Sequence, residues 1–222
     1  MLNPWLNLPE TEPYVLSEDE AAIAKFNSRL HNDDERRIDL RLIPEPFIGY
    51  QEAPVVILMH NPGRAPGDWA MFSKPSIARA SRESITTPGG TPMYTLSPDM
   101  APTPAGIYYR DALKSFHNSS RSWQDLAKKV IFIEQHGYHS TRSSPIPRGL
   151  PSQEFGFALV RQAMKQRRII VIGLAASKWY TAVPGLDEYS RTVTKNSPQT
   201  RALSRRNLGE AGFNMISRAL NG

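Results

Sequence analysis

The stretch VVILMHNPGRAPG, Val55 to Gly67, decides how the chain folds. Its first five residues are all apolar, whereas a strand with one wet face would alternate with polar residues. A strand over 53–60 is therefore buried on both faces. VIFIE (130–134) and IIVIG (169–173) repeat that character, and YSRTVTK (189–195) alternates like a more exposed strand. IDLRLI (38–43) predicts a further short strand. Helical patterns separate these runs. Ser17-Glu18-Asp19-Glu20 reads as a capping box opening a helix to about Leu30. In 105–116, Tyr108, Ala112 and Phe116 recur at i, i+4 and i+8, and Ser122 caps a helix through Lys129. Ser152 caps another to about Arg168, AASKWYTAV follows the third strand, and 204–220 closes the chain. Doubly buried strands alternating with helices predict an α/β fold, an open parallel sheet between helical layers.

The 222 residues suit a single domain. Residues 1–48 read as an N-terminal helical extension. The segment 64–104, rich in Pro, Gly, Ser and Thr, is longer than an ordinary connection and reads as a lid-like insert, with short helical pieces at DWAMF and SIARAS. The absence of Cys excludes disulfides, thiolate metal sites, iron–sulfur clusters and a cysteine nucleophile. Neither a signal peptide nor a membrane span is expected, so the reading is a soluble, cytoplasmic protein. The net charge of +6 is unevenly spread: residues 1–140 carry −3 and residues 141–222 carry +9. A basic last third fits a polyanionic partner, and equally a solubilising surface.

Ligands of open parallel sheets sit beyond the carboxyl ends of the strands. Three polar clusters occupy such ends: His60-Asn61-Pro62-Gly63, Glu134-Gln135-His136 and Lys195-Asn196-Ser197-Pro198. Asn61 both donates and accepts, so it can orient a water without acting as a strong base. Pro62 fixes φ and removes a donor, while Gly63 lets a ligand approach the backbone. That set suits a dissociative reaction such as glycosidic cleavage, where positioning outweighs proton abstraction. Asn-Pro-Gly is also an ordinary turn. In the second cluster, Gln135 can read a donor–acceptor pair on a base edge and His136 can steady a departing anion. His136 and His139 have i, i+3 metal spacing but no third ligand, and His139 alone reads as a loop histidine. In the third, Lys195, Arg201, Arg205 and Arg206 supply electrostatic attraction, and Ser197 with the backbone at Pro198 could grip phosphates. Gln199 or Arg201 could fill the gap left by an extruded base. Ser204 is equally a helix cap.

Together these pieces resemble the uracil-DNA glycosylase superfamily. MHNPG (59–63) is similar, from Asn61 to Gly63, to the Gly-x-Asn-Pro-Gly motif of its mismatch-specific and single-strand-selective branches. KNSPQTRALSRRNL (195–208) is similar to the second motif, Asn/His-Pro-Ser-Pro or Asn-Pro-Ser-Gly ahead of a basic helix. GGTPMYTLSP (89–98) is similar to the stretch whose aromatic stacks on the extruded base. The resemblance implies a three-layer α/β/α sandwich with a central four-stranded parallel sheet. It also implies a monofunctional, base-flipping DNA hydrolase that leaves an abasic site and needs no cofactor or metal; a monomer without membrane association is expected. Asn61 would position the attacking water, Asn196 would act on the leaving base or sugar, and Tyr94 would stack on the base. His60, Pro62, Gly63, Glu134, Gln135 and His136 would surround the base, with Lys195, Ser197, Pro198, Gln199, Arg201 and Arg205 toward DNA.

The chain departs from the family pattern in places. Met59 stands where the family has Gly, the second motif runs Asn-Ser-Pro, and Glu134-Gln135-His136 stands where an Asn often reads the base. With the long segment before Tyr94, these departures suggest a substrate other than plain uracil. A bulky modified pyrimidine, such as the glucosylated hydroxymethylcytosine of some phage DNA, would make this a defence enzyme. Whether Glu134 or Asp68 shares the catalysis stays open. A non-catalytic nucleic-acid-binding module of the same fold is the alternative. A nucleotide-binding domain or small-molecule hydrolase is disfavoured, because the chain has no Gly-rich phosphate loop and no G-x-S-x-G elbow.

Overall fold

The computed structural model describes residues 2–143 and 149–221. Strands β1 (Phe47–Ile48), β2 (Val55–Leu58), β3 (Val130–Ile133), β4 (Ile169–Ile172) and β5 (Thr192–Thr194) form one sheet in the order β1-β3-β2-β4-β5. Val55 lies opposite both Val130 and Ile169, and Ile170 opposite Thr192, all in parallel register. The expected four parallel strands are thus joined by a fifth. That strand, β1, pairs antiparallel with β3, Phe47 opposite Ile133. Two residues behind Pro46 are too few to show a strand period, which is why the sequence hides it.

Every residue of β2, β3 and β4 is buried, as an all-apolar run requires. Alternation of side chains sends Val56, Leu58, Ile131, Ile133, Ile170 and Ile172 into one layer. Val55, Ile57, Val130, Phe132, Ile169 and Val171 enter the other. Helices α1 (Ser17–Asn27), α3 (Pro75–Thr86), α6 (Gln153–Lys165) and α7 (Ala176–Ala182) cover the first face through Ile23, Ile85, Leu159 and Trp179. Helices α4 (Pro104–Leu113), α5 (Trp123–Lys129) and α8 (Arg205–Asn221) cover the second through Tyr109, Leu126 and Ile216. The result is an α/β/α sandwich. The remaining helix, α2 (Asp68–Phe72), packs with α3 outside these layers.

Several local expectations change. Segment 38–43 forms no strand of the sheet: among the described residues it makes one isolated bridge, Asp39 to His139, and Pro44 and Pro46 interrupt the chain before β1. Ser17 lies inside α1 and Leu16 occupies the cap without a side-chain bond. The acidic residue there, Asp19, is instead buried, accepting from the Tyr138 hydroxyl at 2.7 Å and from the Ser152 amide at 3.3 Å. Ser152 sits at the α6 cap position but makes no capping bond. Ser122 does form a reciprocal capping box with Asp125. Residues before β1 belong to the main core, since Trp5, Leu8, Val15 and Leu16 pack in the first layer. Segment 64–104 is likewise packed: Met71, Ile77, Ile85, Met93, Leu96 and Met100 are all buried.

Candidate functional site

Parallel pairing brings the carboxyl ends of β2, β3, β4 and β5 to one edge. The chain leaves β2 toward β3 but leaves β4 toward β5, so its connections diverge between β2 and β4. Ligands of open α/β sheets occupy the crevice at such a divergence. A cavity of about 630 Å³ lies here, lined by His60 after β2, Gln135 and His136 after β3, and Ser177, Lys178 and Thr181 on α7. Leu150, Gln153, Glu154 and Phe157, at the start of α6, close another side.

The local chain path explains these positions. A Cβ on Gly173 would come within 2.6 Å of the Met59 sulfur and 2.7 Å of the Leu58 carbonyl, so glycine there lets the ends of β2 and β4 touch. Ala175 then adopts a left-handed conformation, φ 56°, and turns the chain into α7. That geometry costs a non-glycine residue about 1–2 kcal/mol. The buried Trp179 indole donates to the Met59 carbonyl at 2.7 Å, pinning α7 to β2 with Lys178 on the cavity wall.

His60 is buried at the centre of this arrangement. Its Nδ1 lies 3.2 Å from Gln135 Oε1, its Nε2 lies 3.3 Å from Lys178 Nζ, and its ring meets His136 edge-on at 5.7 Å. A carboxamide oxygen only accepts, so Nδ1 carries the proton and Nε2 offers its lone pair to the lysine. Partial desolvation holds the Lys178 ammonium below the ordinary lysine pKa. Gln135 is itself stapled down: its amide donates to the His60 carbonyl at 3.1 Å, and its carbonyl accepts from Gln153 Nε2 at 2.9 Å.

Asn61, Pro62 and Gly63 do not form a turn. They run on beside 139–141, with Gly63 bridged to Ser140 and the Arg64 amide donating to the Ser140 carbonyl at 3.0 Å. The Asn61 amide group donates to Ser140 Oγ at 2.8 Å and to the Pro62 carbonyl at 3.1 Å, which fixes its plane. Among the described residues a Cβ on Gly63 would meet nothing within 4 Å, so none of them requires glycine there.

The acidic and phenolic groups form a separate buried layer. The Tyr94 hydroxyl donates to Glu45, whose other oxygen is 3.8 Å from His139 Nε2. His139 is sealed between the Gly63 and Ile43 carbonyls, each 3.0 Å from a ring nitrogen. Burial pushes the Tyr94 phenol and the Glu45 carboxyl up. Glu134 is pushed well above the glutamate range by burial and then by the charge of Glu45, and its Oε2 has no hydrogen-bond partner among the described residues. Burial also raises Asp68, which accepts from the Ala65 amide.

The third cluster is clasped onto α8. Lys195 is buried, donating to the Pro198 carbonyl at 3.1 Å and the Thr200 carbonyl at 2.9 Å, and burial lowers its pKa. Asn196 donates through its backbone to Asn207 and through its side chain to Arg206, at 2.8 and 3.0 Å. The Ser197 amide bonds Asn207 Oδ1 at 2.8 Å. Pro198 and Gln199 are exposed. Arg201 lies over the Tyr108 ring at 4.6 Å and 3.5 Å from Asp111, while Arg205 pairs with Glu210 over Phe213.

The structure therefore brings His60, Gln135 and His136 together around one cavity. Asn61, Tyr94, Glu134 and Asn196 are not among its lining residues. The wall residues missed by sequence reading include Lys178, Ser177, Thr181 and Phe157. The carboxyl-end rule, applied also to β4, points to Ser177 and Lys178; Phe157 shares a helix face with core residues and gives no separate signal. Among the described residues, no group of three or more His, Asp or Glu is placed to hold a metal ion. No described helix is long and apolar enough to cross a membrane. The chain matches no model of a known protein family, no curated protein and no solved structure.

Proposed function

We propose that the protein is a DNA glycosylase that flips a pyrimidine into the cavity beyond β2 and β4 and hydrolyses its N-glycosidic bond. The observation that carries this reading is the convergence of His60, Gln135 and His136 on that cavity. An amide and two imidazoles offer the mixed donors and acceptors a base edge calls for, and Phe157 supplies an aromatic wall. Asn61 stands one residue past His60, off the cavity wall, with its carboxamide plane set by Ser140; it orients the attacking water at the rim, not inside the cavity. At about 630 Å³ the cavity is of a size that encloses drug-sized ligands, more than a bare pyrimidine needs. This favours a bulky modified cytosine, such as glucosylated hydroxymethylcytosine, and with it a defence role against phage DNA in the cytoplasm. The protein acts as a monomer, and the exposed arginines ahead of and within α8 draw in the DNA backbone.

One observation favours a second reading, a nucleic-acid-binding module without chemistry. The Asn196 side chain, the other expected catalytic group, is committed to the Arg206 carbonyl. A base-release assay on DNA carrying uracil, hydroxymethylcytosine or its glucosylated form separates the two. The glycosylase releases the modified base, and Asn61→Ala abolishes release while DNA binding persists. Binding without release from any of these substrates supports the module, and release of uracil alone overturns the bulky-base assignment.

A further inference from the structure

The pairing of Lys178 with His60 has a chemical use of its own. Gln135 directs the proton of His60 to Nδ1, so Nε2 is a base, and the lysine Nζ lies 3.3 Å from it. Lys178 makes none of the ion pairs formed among the described residues, so no described carboxylate holds it as a fixed cation. It lies on the wall of the cavity, and the Trp179 bond to β2 fixes the helix that carries it. The partial loss of hydration that lowers its pKa favours the neutral amine. A lysine amine beside a base, in a cavity large enough for substrate, is the arrangement that attacks carbonyl carbon.

We propose that Lys178 is a second catalytic group, an amine nucleophile that condenses with the aldehyde of an abasic nucleotide and cleaves the strand beside it. The inference rests on the glycosylase reading, because removal of a base leaves a deoxyribose whose ring-opened form carries an aldehyde at C1′, and it replaces the monofunctional expectation with a two-step activity. The Nζ lone pair adds to C1′, and the carbonyl oxygen leaves as water after gaining two protons, one of them passed from the amine through His60. The resulting iminium makes the C2′ hydrogen acidic, and His60 Nε2 removes it. The electron pair forms a C1′–C2′ enamine, which expels the 3′ oxygen and breaks the C3′–O bond. The downstream strand leaves with a 5′-phosphate. Water then hydrolyses the unsaturated iminium and returns Lys178. No oxidant or reductant takes part.

The test uses an oligonucleotide whose abasic site is made beforehand, so the protein's own base removal is not required. Borohydride added during incubation reduces the iminium and leaves a stable protein–DNA adduct. Wild-type protein is expected to form it, with peptide mass spectrometry locating the bond at Lys178. Folded Lys178→Arg and Lys178→Met proteins are expected to lose at least nine-tenths of the adduct. Absence of any wild-type adduct, or an adduct mapped to another lysine, overturns the proposal without reference to how the variants fold. Base release without trapping overturns the amine step alone, whereas trapping without base release leaves the amine step standing and overturns the glycosylase reading.

Discussion

Gln135 Oε1 stands 3.2 Å from Nδ1 of His60 and so decides which nitrogen of that imidazole faces Lys178. The contact joins the loops after β2 and β3, two segments separated by 75 residues. Replacing the amide with a hydrocarbon of similar size tests its role. Gln135→Leu removes the acceptor and leaves the imidazole free to change tautomer. Base release is expected to fall roughly tenfold, about 1.4 kcal/mol, the scale of one hydrogen bond. Nitrogen NMR of the imidazole should show a protonated Nδ1 in the wild type and a mixture in the variant. An unchanged tautomer with unchanged activity would remove Gln135 from the mechanism.

Glu134 gives a prediction about pH. Its native pKa is raised from the ordinary 4.5, so the folded state keeps a proton that the unfolded chain releases. Stability contributed at this site is therefore present below about pH 4.5 and falls as pH rises above it, by up to about 1.4 kcal/mol per pH unit. Glu134→Gln removes that dependence. In urea titrations the stability difference between variant and wild type should shift in favour of the variant from pH 5 to pH 8. A difference constant across that range would mean that Glu134 is ionised in the native protein.

The two glycines of the rim should behave in opposite ways. Gly173→Ala drives a methyl group into the Met59 sulfur and the Leu58 carbonyl, and the fold is expected to lose about 1–3 kcal/mol. Gly63→Ala meets no described atom within 4 Å and should melt with the wild type. If a substrate approaches the backbone there, the same variant loses base release while remaining stable. Thermal melts and activity on both proteins distinguish a packing glycine from a ligand-facing one.

How much of this was readable beforehand follows from the kind of signal involved. The all-apolar runs at 55–58, 130–133 and 169–172 announced doubly buried strands because burial on both faces leaves no polar alternation. The two-residue β1 could not be read, since it has no period. His60 and Gln135 were legible as polar residues at strand ends, where the chain must leave the sheet. Lys178 was not, because only the left-handed turn at Ala175 and the Trp179 bond to Met59 place it opposite His60. The commitments of Lys195, Asn196 and Tyr94 depend on partners distant in sequence or on carbonyl directions, which residue types alone do not record.

Those commitments also sort the basic residues. Arg206 is exposed at the start of α8, whereas the Lys195 ammonium is turned inward onto two carbonyls. Arg206→Ala should lower the slope of log affinity for DNA against log salt by about 0.9, the value for one phosphate contact. Lys195→Met should leave that slope unchanged and lower the melting temperature, because its carbonyl partners lose their donor. A reversed pattern would place Lys195 at the DNA interface.

Mass spectrometry of the small-molecule fraction after incubation with DNA containing glucosylated hydroxymethylcytosine decides whether this chain removes a base from DNA. Free modified base is expected in amounts matching newly formed alkali-labile sites, with neither produced by Asn61→Ala. Intact DNA and no free base, from folded protein shown to bind the same DNA, would contradict base removal by this chain.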